Sequence, residues 1–154
     1  MTEPAIIGMY STSDKKSVLD LLKKADLPVE DLTDTKLKHF MIAKSDDRSV
    51  IGVVGVEVHQ ESGLLRSLVV HPFYRDKGLG HHLVGKIVSY AQQKGIRTLY
   101  LLTMTAADFF PKMGFEVTLR DQVPASIINT DEFKNVCPAT AVCLSKKLGA
   151  FQYR

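Results

Sequence analysis

The amino-acid sequence predicts an α/β fold built on one mixed sheet, and three observations carry that prediction. Short strand-like apolar stretches alternate with two amphipathic segments of helical period. The second, third and fourth strand-like stretches follow one another through polar turns, and strands one to four together have the pattern of a meander. After the second amphipathic segment comes "IRTLYLLTM", an apolar run of the kind found in strands buried on both faces. A strand, helix, strand passage of this sort is a right-handed crossover, which sets the fifth strand parallel to the fourth. With 154 residues, no linker and no internal repeat, the expectation is a single domain over residues 1–154.

The elements follow in order. "AIIGMY" opens as a short strand. In "TSDKKSVLDLLKKADL", Val18, Leu21, Leu22 and Ala25 recur at helical spacing with charged residues opposite. A helix is expected there, with Ser13 as N-cap and Asp14 in the first turn. Pro28 breaks it, and the chain to Thr35 is loop or a short helical turn. "KHFMIAKSD" and "SVIGVVGVEVHQ" are two strands around a polar turn. "ESG" turns into a fourth, "LLRSLVVH", which ends at Pro72 because proline cannot donate to a ladder. Residues 79–94 form the main helix, with Leu79, Leu83, Val84, Ile87, Val88 and Ala91 as its stripe and Gly95 as its stop. "AADFFPKM" is a short helix ending at Gly114, and "FEVTLR" is a strand. Residues 121–138 are a long polar excursion before the last strand, "ATAVCLSKKL".

Composition narrows the function classes. The chain is 45% hydrophobic and 24% charged, which is ordinary for a globular protein. Its apolar runs are too short to span a bilayer, so no membrane partner is expected. "MTEPAIIGMY" has neither a basic start nor a long apolar segment, so no secretory signal is expected. Two cysteines, Cys137 and Cys143, make no disulfide framework, and reduced thiols in a cytoplasmic protein are the default. The net charge of +3 is spread over scattered lysines, without basic blocks interleaved with aromatics, so nucleic acid is not an expected partner. No His, Cys and carboxylate residues stand at zinc spacing, and no metal is expected.

In "YRDKGLGHHLVGK", Gly78 and Gly80 stand where the chain leaves a strand and enters the main helix. The first turn of a helix offers unpaired N–H groups and the positive end of the macrodipole. Glycines there let a phosphate approach the backbone, and Arg75 and Lys77 add charge. By glycine spacing alone, a sterically relieved helix entry is the simpler reading. A P-loop is excluded, because no Gly-Lys-Ser/Thr closes the loop. A dinucleotide fingerprint is excluded too, because it needs three glycines after the first strand and an acidic residue about twenty positions on.

The wider frame decides between these readings. "LRSLVVHPFYRDKGLGHHLVGKIV", followed later by "AADFFPKMGF", resembles the GNAT superfamily of N-acetyltransferases over about residues 5–147. The matching pieces are Leu68-Val69-Val70, His71-Pro72, the run from Arg75 to Gly80, and Gly114-Phe115. In the second half, "LYLLTMTAADFFPKMGFEV", "VPASI" and "EFKNVCPATAVCL" are similar to the acetyltransferase family of arsenic-resistance operons. A more distant likeness is to the acetyltransferase domain of N-acetylglutamate synthase. The resemblance implies a single-domain fold whose mostly antiparallel sheet, flanked by helices, splays between strands 4 and 5. It implies acetyl-CoA as acetyl donor, with its pyrophosphate on the amides of Arg75, Asp76, Lys77, Gly78, Leu79 and Gly80. The pantetheine arm would pair with the backbone of Leu68, Val69 and Val70 as an added strand does. Backbone N–H groups there would also stabilise the oxyanion. Phe110, beside the implied cofactor site, stands where many members carry a tyrosine that protonates the departing thiolate. Water, or a hydroxyl such as Ser67, Thr103 or Thr105, would replace it, or the thiolate leaves unprotonated.

The attacking amine must be neutral, so a base is needed. Glu57 is the candidate: Gly55, Glu57 and His59 share one face of their strand, and a carboxylate above a glycine leaves room for a ligand. If the "ESG" turn sets residue 57 opposite residue 66, Glu57 faces Arg66, and a cross-strand ion pair is the other reading. Arg66 either grips a substrate carboxylate with its planar fork or is an ordinary strand arginine. His59 is a second candidate base, or an exposed strand histidine. His81 and His82 are solvated positions at the helix start, and His71 is given no role. Cys137 is either a covalent nucleophile or a buried thiol, and Cys143 is a small buried hydrophobe.

The expected function is transfer of an acetyl group to the amine of a small, amino-acid-like substrate. Resistance to arsenicals or toxic amino-acid analogues is the setting implied by the resemblance. Two alternatives stand beside it. One is a peptide or protein N-terminal acetyltransferase with a groove flanked by residues 26–36 and 121–136. The other is a non-catalytic acyl-CoA-binding module. For a homodimer, the last strand and the tail "GAFQYR" offer surfaces that exchange or pack between subunits, and equally a frayed end.

Overall fold

The computed structural model describes residues 5–104, 106, 108–136 and 141–149. In chain order the elements are β1 (Ile6–Met9), α1 (Lys15–Lys24), α2 (Asp34–Leu37), β2 (Phe40–Lys44), β3 (Val50–His59) and β4 (Ser62–Val70). They continue with α3 (Leu79–Gln93), β5 (Thr98–Thr103), β6 (Glu116–Val117), α4 (Ala125–Ile128) and β7 (Val142–Lys147). The seven strands are ordered β1-β2-β3-β4-β5-β7-β6. β1, β2 and β3 pair antiparallel in sequence. β4 and β5 are parallel, as the crossover requires, through Ser62–Leu64 and Thr98–Tyr100. β7 lies antiparallel between β5 and β6.

The chain divides into two compact units, residues 1–56 with 67–87 and residues 57–66 with 88–154. The division crosses β3 after Val56 and β4 after Arg66.

In the first unit the α1 stripe buries as its period dictates. Val18, Leu21 and Leu22 pack with Phe40, Ile42, Val53 and Val69. The start of α1 differs from the sequence expectation. A 3-10 turn, Thr12–Asp14, precedes the helix, and Asp14 rather than Ser13 holds the N-cap position. The Ser13 hydroxyl is spent on Ser11, 2.9 Å away, and Asp14 faces Lys44 at 3.0 Å. Nor does Pro28 end the helix: the chain has already turned at Asp26, whose φ is +57°. α2 is capped by Thr33, whose hydroxyl oxygen accepts from the Lys36 amide at 3.2 Å. Phe40 pairs with Gly55 across β2 and β3, and a methyl group on Gly55 would overlap the Phe40 ring. The room expected over this glycine is therefore filled by protein. On the other face, a Cβ at Gly52 would lie 2.8 Å from Leu83 Cδ1, so α3 seats directly on the β3 backbone.

In the second unit β5 buries only alternate residues, Leu99 and Leu101, while Thr98, Tyr100 and Leu102 stay half-buried. The expectation of full burial on both faces is corrected. Its partial cover on one side comes from the segment expected to be a polar excursion. That segment forms a 3-10 turn at Arg120–Gln122, then α4, then a π-turn at Glu132–Val136. Val123, Ile127 and Phe133 from it pack with Leu64 and Cys143, and Tyr100 and Leu102 lie against them. Those three apolar residues are four and six apart with Pro124 and polar residues among them, so neither a continuous helical stripe nor a strict alternation announces them. "AADFFPKM" contributes a 3-10 turn, Phe110–Met113, stopped by Gly114 at φ +92°. The strand expected in "FEVTLR" is only Glu116–Val117.

Candidate active site

The first unit holds the glycine turn. Ser67 is buried in mid-strand yet has φ +61°, a left-handed conformation rare for a residue with a side chain and typical of a strand irregularity. Sequence reasoning singled out its hydroxyl, whereas its backbone is the unusual feature. After it, Leu68 and Val70 are half-buried and Val69 is in the core. The strand end is then tied down at three points. The His71 amide donates to the Ile51 carbonyl at 2.7 Å, and Arg75 Nε donates to the Val70 carbonyl at 3.0 Å. His71 Nδ1 accepts from the Phe73 amide at 3.1 Å, capping the turn Pro72–Tyr74. His71 thus has a structural role that the sequence did not suggest.

Two left-handed residues, Asp76 (φ +63°) and Gly78 (φ +83°), follow within three positions. A Cβ at Gly78 would meet nothing within 4 Å. Glycine is favoured there for its dihedral angles and not for lack of room. Arg75, Asp76, Lys77 and Gly78 are exposed, Leu79 is buried as the anchor, and Gly80 is half-buried. The His82 amide closes the first helical bond on the Gly78 carbonyl at 3.1 Å. An exposed turn with two left-handed residues, leading into a 15-residue helix, offers backbone N–H groups and the positive dipole end to an anion.

The second unit holds a cluster of ionisable side chains. Arg66 Nη1 donates to Glu57 Oε2 at 2.8 Å, so the cross-strand ion pair exists. The other carboxylate oxygen, Glu57 Oε1, lies 3.1 Å from His59 Nε2. Arg66 Nε lies 3.9 Å from Glu132 Oε1. The side-chain exposures are 0% for Arg66, 4% for Glu57, 5% for Glu132 and 31% for His59. The Arg66 guanidinium is therefore enclosed with two protein carboxylates. Glu132 was missed in the sequence because it stands alone in a polar stretch where no periodicity points it inward.

The remaining candidates fall elsewhere. Phe110 is a core residue, edge-on to Phe109 and Phe115 at centroid distances of 5.1 and 5.5 Å. The Thr103 hydroxyl oxygen accepts from the Ala106 amide at 3.0 Å. Thr105, Cys137 and the tail from residue 150 lie outside the described residues. Cys143 is buried, and burial pushes its thiol up against a smaller downward pull from Arg120, the setting of an unreactive thiol. Among the described residues no three His, Cys, Asp or Glu side chains are grouped to hold a metal ion. No helix among them is long and apolar enough to cross a membrane.

Similar proteins share both sequence and fold with this chain. Over 66 residues, 43% of this chain, it is 41% identical to an amino-acid acetyltransferase of Pseudomonas syringae pv. syringae. The aligned stretch spans 15% of that relative's length. In three dimensions the chain resembles N-acetylglutamate synthase from Neisseria gonorrhoeae, solved with coenzyme A and N-acetyl-glutamate. The TM-score is 0.82 at 18% identity, covering 97% of this chain and 36% of that one. It also resembles a Mycobacterium tuberculosis protein solved in complex with CoA, with a TM-score of 0.79 at 20% identity, covering 93% of this chain and 99% of that one. Residues 9–115, which include the glycine turn, Glu57 and Arg66, match the Acetyltransferase (GNAT) family. The chain belongs to that family.

Proposed function

We propose that this chain is an acetyl-CoA-dependent N-acetyltransferase, acting as one domain on the amine of a small, amino-acid-like acceptor. The observation that carries the reading is the turn from Arg75 to Gly80. Its left-handed residues at Asp76 and Gly78 open a long helix, in a chain of the GNAT family. The amides of Arg75 to Gly80 hold the pyrophosphate of the donor. The backbone of Leu68, Val69 and Val70 receives its pantetheine arm and offers N–H groups to the oxyanion. On the acceptor side, the Glu57–His59 pair takes the amine's proton, while Arg66 fixes the Glu57 carboxylate. The C–N bond forms as the thioester C–S bond breaks. The departing thiolate takes a proton from Ser67, Thr105 or water, or leaves as it is.

An amino-acid acceptor is supported by the amino-acid acetyltransferases to which the chain is similar. A role in resistance to arsenicals or toxic amino-acid analogues is the finer part of the proposal and rests on the second-half sequence likeness alone. A peptide acceptor is less well supported, since the 121–136 segment is packed through Val123, Ile127 and Phe133. One observation favours a second reading, a non-catalytic acyl-CoA-binding module: Phe110 is an apolar core residue and can supply no proton. Thermal melting with and without acetyl-CoA tests the shared part, and a missing stabilisation rejects both readings. Thiol release across the proteinogenic amino acids separates them, because a binding module gives stabilisation without turnover.

A further inference from the structure

Resting on that reading, we propose that His59 meets the acceptor amine and takes its proton, with Glu57 as a positioning residue behind it and Arg66 locking Glu57 in place. A base that takes the amine's proton must come within hydrogen-bond reach of it, directly or through one water. Of the four clustered side chains only His59 reaches the surface appreciably, at 31% exposure against 5% or less for the others. Both Glu57 oxygens are already engaged, Oε2 by Arg66 at 2.8 Å and Oε1 by His59 at 3.1 Å. A carboxylate that binds one imidazole nitrogen fixes the tautomer and turns the other nitrogen outward as the acceptor. Here His59 Nε2 carries the hydrogen toward Glu57, and Nδ1 is left for the amine. Residues 57 and 59 are two apart on one strand, so their side chains share a face and need no further element to meet.

The proton balance is simple. An amine N–H bond breaks and an Nδ1–H bond forms, while the amine's electron pair makes the new C–N bond and the thioester C–S pair leaves on sulfur. The imidazolium later returns its proton to solvent from Nδ1. Among the described residues, His59 meets Glu57 on its own strand directly, and Glu57 links it to Arg66 on β4 and, behind Arg66, to Glu132 in the π-turn. Glu61, in the β3–β4 turn, is exposed and paired with Arg97 at 4.0 Å.

The test uses the full chain, acetyl-CoA and the best acceptor from the amino-acid panel, with His59→Gln, His59→Ala and Glu57→Gln beside the parent. We expect kcat/KM to fall by about 10²- to 10⁴-fold in both His59 variants. The acidic limb of the pH–rate profile should disappear in His59→Gln, and added imidazole should restore part of the activity of His59→Ala. Acetyl-CoA should raise the melting temperature of both His59 variants as it does the parent's, which reports folding and donor binding together. A His59→Gln enzyme within about threefold of the parent, with the same pH profile, overturns the proposal. So does an acidic limb that survives in His59→Gln and is lost in Glu57→Gln, because Glu57 would then face the amine. A parent that releases no thiol with any acceptor rejects instead the acetyltransferase reading beneath it.

Discussion

Residues 75–80 in the first unit offer main-chain groups from an exposed turn. Residues 57, 59, 66 and 132 in the second unit offer side chains, three of them enclosed. The turn depends on dihedral angles at Asp76 and Gly78, and most side chains around it point to solvent. The cluster depends on each atom, because a buried charge that loses its partner keeps its desolvation cost. A site made of backbone should therefore tolerate side-chain change and fail only when the chain path changes. A site made of buried charges should fail at single atoms.

The sharpest way to break this contrast is Arg66→Ala, which leaves Glu57 and Glu132 enclosed without their guanidinium. A loss of about 3–5 kcal/mol in stability is expected, read from urea unfolding. A loss below about 1 kcal/mol would mean the cluster is hydrated and does not differ in kind from the turn. Next comes Gly78→Val, which forces a β-branched residue to φ +83°. About 1–3 kcal/mol of strain is expected, together with weaker acetyl-CoA binding by calorimetry. Arg75→Gln should do less. It removes one exposed bond to the Val70 carbonyl, so acetyl-CoA affinity should fall less than about tenfold, in keeping with roughly 1 kcal/mol for such a bond. A hundredfold fall would make the turn a side-chain site after all.

The smallest effect is a pH dependence away from both sites. Burial pushes the Asp14 carboxyl up, but hydrogen bonds from Lys44 and Ser11 outweigh it and hold the group below its ordinary value. A depressed carboxyl contributes stability above its unfolded pKa of about 3.9, and that stability is lost as pH falls through the lower, folded value. Because Lys44 is partly exposed, the contribution should stay under about 1 kcal/mol. Asp14→Asn should flatten the acid side of the stability curve by that amount.

What was legible in the sequence follows the same division. The strands and the main helix were readable because period and glycine punctuation are local: the α1 stripe and the stops at Gly95 and Gly114 all appear where expected. The turn was readable because glycines mark it. The pairing of Glu57 with Arg66 was readable once a short turn fixed the register. Glu132 was not, because it reaches Arg66 from 66 positions further along the chain, through a π-turn that leaves no periodic trace. The left-handed Ser67 was equally hidden, since serine in a strand gives no sign of its φ. His59 was visible as a residue, but its standing depended on both Glu57 oxygens being taken, a fact of geometry alone.

The Phe40 ring lying over Gly55 carries a consequence for how this chain can change over generations. The two residues share one volume, so neither position drifts alone: a methyl at 55 is excluded while the ring is present. Replacing the ring by a smaller aliphatic group opens a cavity, at a cost of a few kcal/mol. The two changes made together should compensate in part, giving a strongly non-additive double-mutant cycle. Homologues are therefore expected to exchange the pair in concert, a large residue at 40 with glycine at 55 or a smaller one with alanine.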